Sequence, residues 1–306
     1  MSKLYLITGF LGAGKTTFLK NFINELSDFR LHLIINEFGK EGVDGEILRE
    51  LGTVLDEINN GSIFCSCRLD KFEEVLGKAL SGKPDIIIVE ASGLSNPMNV
   101  RKILNQKDKF SDVEYMGSIC LIDARQFLKV YETAVVIKKQ LAVSDLVLIN
   151  KTDLASKEQI EEIKGIVKMH RPGAGVHTTT YGRIESSWLN PAAPADRQPE
   201  EPILQSADIT LKKYLLRLKP GQAPGKLQKF VEMFLDDTYR VKGFVEADGE
   251  IYLVDCVGSI YKAEKFEGKP EHINDLVVLS GNGLPVRKSL RKAMEWYPEI
   301  VEEIKK

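Results

Sequence analysis

In the segment Gly9-Phe10-Leu11-Gly12-Ala13-Gly14-Lys15-Thr16-Thr17, Gly9 and Gly14 flank four residues, and a lysine with two hydroxyl residues follows. This is the pattern of a phosphate-binding loop. Small residues let consecutive backbone N–H groups close around an anion, and a helix starting at the loop points its positive end at the same place. In such a loop Lys15 reaches the β- and γ-phosphates of a nucleotide, and the Thr16 hydroxyl joins the coordination of Mg2+. The match follows an apolar strand and opens a helical pattern, which is the context the chemistry needs.

Other segments add chemistry to that loop. Asn150-Lys151-Thr152-Asp153 directly follows the apolar run 146–149. A carboxylate placed like Asp153 accepts two hydrogen bonds from the N1 and N2 positions of guanine. Adenine offers no such pair, and a carboxylate left unpaired is costly, so the expected nucleotide is GTP. Asn150 and Lys151 would brace and cover the base. Glu90-Ala91-Ser92-Gly93 follows the run 86–89. There, Glu90 would hold the Mg2+ shell or orient the attacking water, and Gly93 would offer its amide to the γ-phosphate. Lys15, Thr16 and Glu90 are the expected catalytic set. Glu37 and Asp44, just past the run 31–35, form a candidate switch that senses the γ-phosphate through Mg2+. Cys65 and Cys67 sit one residue apart after the turn Asn59-Asn60-Gly61. With Glu37 they supply a partial site for a soft or borderline divalent metal, or else they are two free thiols; spacing alone leaves both readings open.

These residues need a scaffold, and the apolar pattern describes one. The runs 4–7, 31–35, 86–89, 119–122 and 146–149 are apolar on consecutive residues, as in strands buried on both faces. Helical patterns lie between them, over 15–26, 71–80, 126–141 and 157–168. Alternation of this kind implies an α/β fold, with a mostly parallel sheet covered by helices on both faces and functional loops at the carboxyl ends of the strands. The pattern stops near Leu189, and 190–205 is rich in proline and charge. The expected division is a nucleotide domain over 1–189, a linker over 190–205 and a smaller α+β domain over 206–306. In that last part, strands are expected over 206–211, 240–247, 251–256 and 276–279. The second and third of these meet at Asp248-Gly249, a hairpin turn pair. Helices are expected over 226–235 and from about Pro285.

Composition sets outer limits. The chain has 306 residues, 43% of them apolar and 28% charged, enough to build a core rather than a disordered chain. Lys and Arg number 42 against 44 Asp and Glu, so the basic excess of a general nucleic-acid binder is missing. Four cysteines are too few for a disulfide scaffold. The longest apolar runs are strand-sized, short of the roughly 20 residues that cross a bilayer. The expected location is the cytoplasm, with no nucleic-acid or membrane partner. Cys120, Cys256, the four histidines and both tryptophans are expected to be structural.

Taken together, these segments resemble the CobW-like GTPases, relatives of the urease and hydrogenase GTPases that help insert nickel. The motifs occur in family order: Gly9 to Thr17, Asn36-Glu37-Phe38-Gly39 with Val43-Asp44, Glu90-x-x-Gly93-Leu94, and Asn150-Lys151-x-Asp153. Thr179-Thr180-Tyr181-Gly182 resembles the last nucleotide-domain motif, with Tyr181 where a His is often found. Arg240-Val241-Lys242-Gly243 resembles the carboxyl-terminal domain. The resemblance implies a GTPase that binds or delivers Zn2+, Co2+ or Ni2+, or services a metal-containing cofactor such as a corrinoid. With no obvious arginine finger in the sequence, its unassisted turnover is expected to be slow. Its partner would be a client metalloprotein or cofactor-dependent enzyme, and it would act as a monomer or a nucleotide-dependent dimer. A regulatory GTPase switch with no metal of its own is the alternative. The family turn usually reads Cys-x-Cys-Cys; here only Cys65 holds a matching position and Cys67 is added two residues on. No His-rich stretch is present either, and both departures count against zinc delivery specifically.

Overall fold

The computed structural model describes residues 1–36, 54–58, 69–93, 97, 103, 107–189, 211–268, 270, 272–281 and 283–305. Glu37, Asp44, Cys65, Cys67 and the linker expected over 190–205 lie outside the described residues. The chain divides into two compact units, Met1–Tyr131 with Val135–Ala207, and Asp208–Lys306 with Glu132–Ala134.

The first unit is a parallel sheet of β1 (Ser2–Gly9), β2 (Leu31–Asn36), β3 (Val54–Ile58), β4 (Ile86–Glu90), β5 (Val113–Asp123), β6 (Leu146–Asn150) and β7 (Gly175–Thr178). Their order is β3-β2-β4-β1-β5-β6-β7, so β1 runs through the middle between β4 and β5. The helices are α1 (Lys15–Glu25), α2 (Leu69–Ser81), α3 (Lys107–Phe110), α4 (Phe127–Thr133), α5 (Val135–Ala142) and α6 (Lys157–His170).

Consecutive apolar residues on one strand serve two cores. Tyr5 and Ile7 of β1 pack with Phe18, Leu19 and Phe22 of α1, while Leu4 and Leu6 pack with Phe72 and Leu76 of α2. This is the reason the strands read as unbroken apolar runs, since each face has its own helical cover. Fully burying a Phe or Leu contributes roughly 1.5–3 kcal/mol, and Phe18, Phe22, Phe72, Leu4 and Leu6 are all 1% exposed or less.

At the β2–β3 edge, His32 is 7% exposed and sits 2.9 Å from Asp56, which also takes the Lys78 ammonium at 2.5 Å. Partial burial works against the Asp56 carboxylate, but the hydrogen bonds from Lys78 and His32 outweigh it and hold its pKa below the usual value. His32 is thus structural, as expected. The helix expected over 126–141 is two helices that break at Ala134. Trp188 packs against the first core, but Trp296 is 69% exposed and is no packing residue.

The second unit is an antiparallel sheet of β8 (Leu211–Leu218), β9 (Arg240–Ala247), β10 (Glu250–Val257), β11 (Ala263–Lys265), β12 (Asp275–Gly281) and β13 (Val301–Lys305), in the order β11-β10-β9-β12-β8-β13. Its helices α7 (Pro224–Leu235) and α8 (Val286–Trp296) bury Phe230, Phe234 and Leu290 with Leu216, Val241, Val254 and Val278 of the sheet. Of the strand expected over 206–211, residues 206–210 lie outside the described residues, and the described strand runs over Leu211–Leu218. Among the described residues no helix is long and apolar enough to cross a membrane.

Candidate functional site

The central strand β1 ends at Gly9 and the loop 10–14 leads into α1. Ala13 N–H donates to the Phe10 carbonyl at 3.2 Å, which closes a turn, and Phe18 N–H donates to Gly14 at 2.9 Å, which opens the helix. Gly14 has a φ of +95°, a region that L side chains rarely adopt. A Cβ there would lie 2.5 Å from Asn150 Nδ2. The Lys15 ammonium donates to the carbonyls of Gly9 at 3.1 Å and Phe10 at 3.4 Å, so it lies against the first residues of the loop. Thr16 is half-buried in the first turn of α1, and Thr17 is exposed.

Asn150 closes β6 and is 2% exposed. Its Nδ2 donates to the Ala13 carbonyl at 2.9 Å, and its Oδ1 accepts the Gly182 N–H at 3.0 Å. One buried amide therefore ties the phosphate-loop segment to the turn 179–182, using donor and acceptor together. That turn has further anchors. Thr152 Oγ1 donates to the Thr179 carbonyl at 3.1 Å, and Asn21 of α1 donates to the Tyr181 carbonyl at 2.8 Å. Lys151 has a φ of +60° and donates to the Gly12 carbonyl at 2.7 Å and to Asp123 at 2.6 Å. Asp153 lies in the 3-10 turn Thr152–Leu154 and is exposed.

On the other side of β1, Glu90 ends β4, 8% exposed and in register with Ile7. The Ala91 N–H donates to the Ile7 carbonyl at 2.8 Å, which carries the chain past the start of the loop. Gly93 approaches the loop closely, because a Cβ on it would lie 2.7 Å from the Leu11 nitrogen. Its carbonyl accepts from Gln140 Nε2 of α5 at 3.1 Å, and Gln140 is fully buried. Cys120 of β5 is buried too. Burial pushes its thiol up to about 12, and neither its hydrogen bond with Ser144 nor the Lys15 charge offsets that. It is a packed thiol, as expected, and so is Cys256, pushed by burial to about 11.

The structure thus gathers Gly9, Gly12, Ala13, Gly14, Lys15, Thr16, Thr17, Glu90, Gly93, Asn150 and Lys151 at the carboxyl edge of one parallel sheet, where ligands bind in open α/β folds. Over this stretch the sequence matches the family model described as CobW/HypB/UreG, nucleotide-binding domain, across residues 3–178. The chain belongs to the CobW/HypB/UreG family. Among its relatives, the zinc chaperone CobW of a Sinorhizobium species is 34% identical over 189 residues, covering 52% of this chain and 53% of that one. The zinc chaperone YjiA of Escherichia coli K12 is 29% identical over 192 residues, covering 60% and 59%. The zinc-regulated GTPase metalloprotein activator 1 of Schizosaccharomyces pombe is 30% identical over 193 residues, covering 59% and 46%. The chain thus spans about half the length of these relatives. A solved structure of Zn(II)-bound YjiA GTPase from E. coli aligns over 96% of this chain and 98% of its own, with 20% identity and a TM-score of 0.48.

Two residues in the CobW/HypB/UreG domain escaped the motif reading. Asp123 ends β5 just as Glu90 ends β4 and Asn150 ends β6, so a polar residue closing an apolar run was the available signal. Gln140 gave none, since a glutamine within an amphipathic helix reads as surface. Among the described residues, no three His, Cys, Asp or Glu side chains come together as a metal site.

Proposed function

We propose that this chain binds GTP with Mg2+, hydrolyses it slowly, and uses the cycle to hold and hand over a divalent transition metal to a client metalloprotein. The observation that carries the reading is the Asn150 amide bridging Ala13 and Gly182, which couples a phosphate cradle to a base-reading loop. The residues fit the nucleotide. Gly14 has no side chain to collide with the Asn150 amide, which can therefore reach the loop, and the Lys15 ammonium already lies at the loop.

In this reading the backbone amides of Gly12, Ala13, Gly14, Lys15, Thr16 and Thr17 surround the phosphates, with Gly9 opening the loop. Lys15 neutralises charge that grows on the β–γ bridge and the γ-phosphoryl oxygens. Asp153 accepts N1–H and N2–H of guanine. Thr16 and Glu90 would hold Mg2+, which supplies charge neutralisation at the β- and γ-phosphates. Glu90 orients the attacking water, and the Gly93 amide donates to the γ-phosphate. No arginine finger is evident in the sequence, so unassisted turnover is slow, as in other switch GTPases.

The metal is cargo, of the class Zn2+, Co2+ or Ni2+, and the zinc in the names of CobW and YjiA supports that class. Cys65, Cys67 and Glu37 are the proposed ligands, with Glu37 and Asp44 in the segment that senses the γ-phosphate. Coupling of this kind is reciprocal, so metal changes GTP affinity by the factor that GTP changes metal affinity.

Equilibrium dialysis against Zn2+, with and without a non-hydrolysable GTP analogue, tests the coupling of nucleotide to metal. The expected result is a nucleotide-dependent metal affinity that is lost in the C65S/C67S double variant. Metal binding unchanged by that substitution would remove the cargo role from these thiols.

A further inference from the structure

We infer that Asp123 is a positioning residue for the nucleotide: it anchors the Lys151 ammonium so that the lysine stem forms a fixed wall for the purine. The inference rests on the GTP reading above and adds a residue to it. Asp123 is 8% exposed and closes β5 directly opposite Asn150 in the β5–β6 register. Both carboxylate oxygens are engaged. Oδ2 takes the Lys151 ammonium at 2.6 Å, and Oδ1 accepts the Arg125 N–H at 3.0 Å. The backbone clamp on Oδ1 orients the carboxylate, so its second oxygen faces Lys151 without a search through rotamers.

Lys151 carries the complementary signs. Its φ of +60° is a conformation that a non-glycine residue adopts at a cost, and such outliers gather at functional sites. Its ammonium has two fixed partners, Asp123 and the Gly12 carbonyl at 2.7 Å. A lysine held only by a carbonyl keeps much of its rotamer freedom and loses it when a ligand arrives. A charge-assisted hydrogen bond to a buried carboxylate removes that freedom beforehand. The four-carbon stem, with its head tied down, then presents apolar surface to the face of the base. Asp123 in this role touches no nucleotide; it acts through Lys151 alone.

The test is a double-substitution cycle read by calorimetric titration of the full chain with GDP and Mg2+. D123N keeps the shape of the side chain and the acceptor for Arg125 N–H, and it removes the charge. It is expected to weaken GDP about tenfold, within the range seen for coupled neighbours. K151M keeps a stem and removes the ammonium, so in that background D123N is expected to cost nothing further, or to recover affinity by relieving an unpaired carboxylate. Two results would overturn the inference: D123N binding GDP like the wild type, or D123N costing the same factor in the K151M background as in the wild type. A wild-type chain that takes up no GDP would overturn the nucleotide reading itself, and the wild-type titration alone reveals it.

Discussion

In both units some buried polar side chains donate to backbone carbonyls, as Ser2, Ser118 and Ser144 do in the parallel unit. Among the described residues, the parallel unit also places four buried polar side chains at the carboxyl ends of strands. In the parallel unit Asn36, Glu90, Asp123 and Asn150 are each 8% exposed or less, and each is the last residue of its strand, β2, β4, β5 and β6. In the antiparallel unit the buried polar side chains serve nearby backbone. Thr238 donates to the Leu235 carbonyl, Ser280 to Asp237 and Gln222 to Lys219. Its charged groups pair across strands, Arg240 with Asp255 and Arg217 with Asp275. Chain direction explains the contrast. Parallel strands all end on the same edge, so one terminal residue per strand is enough to assemble a site there. Antiparallel strands return through short turns such as Asp248-Gly249, and the ends of neighbouring strands point to opposite edges. Polar residues at the first kind of edge stand where ligands bind in open α/β folds, and those named in the second unit pair with backbone or with one another.

Substitutions in each unit can break or sharpen that contrast. The largest effect is expected from G14V, which forces a β-branched side chain into a φ of +95° and against Asn150. GDP binding by calorimetry should fall more than about 100-fold. Next comes N150A, which deletes the bonds to Ala13 and Gly182 and leaves a buried N–H unpaired. At about 1–3 kcal/mol for each unsatisfied group, it should weaken GDP by about 2–3 kcal/mol in the same titration. D255N in the second unit should leave GDP affinity within about twofold of wild type while lowering stability by about 1–2 kcal/mol at pH 7, measured by urea unfolding.

The sign of its pH dependence follows from the Asp255 environment. Burial works against the carboxylate, but the Arg240 hydrogen bonds and the Arg240, Lys242 and Lys262 charges prevail and lower its pKa. A lowered carboxylate pKa gives stability that is full above the unfolded value of about 3.9 and is lost as pH falls through the folded one. The wild type should therefore keep this contribution from pH 7 down to about the unfolded value and lose it as pH falls further, through the lowered folded pKa, where D255N should show a flatter acid limb. The smallest effect is expected from S280A, about 1 kcal/mol in the same unfolding measurement from one capped carbonyl, with GDP affinity unmoved. If S280A or D255N weakens GDP as much as N150A does, the proposed division of labour fails.

The parallel unit was the more legible part in the amino-acid sequence, and for the same reason. Strands covered on both faces read as apolar runs, and motifs at their carboxyl ends mark the edge where the candidate site lies. What escaped that reading was short, exposed or broken. The edge strand β7 has four residues, and β13 carries Glu302 and Glu303 on a solvent-exposed edge, so neither leaves an apolar run. The break at Ala134 between α4 and α5 has no proline or glycine to announce it. Asp123 and Gln140 were missed because each acts on backbone or on another side chain brought close only by the fold. Their partners Lys151 and Gly93 lie 28 and 47 residues away.

The central claim is that this carboxyl edge reads guanine and grips phosphate at once. Titrating the full chain with GDP and then with ADP, each with Mg2+, tests it most directly. The account predicts one GDP site per chain and ADP binding weaker by at least about 100-fold, because Asp153 finds no donor pair on adenine. Heat from neither nucleotide, or equal affinity for both, would contradict it.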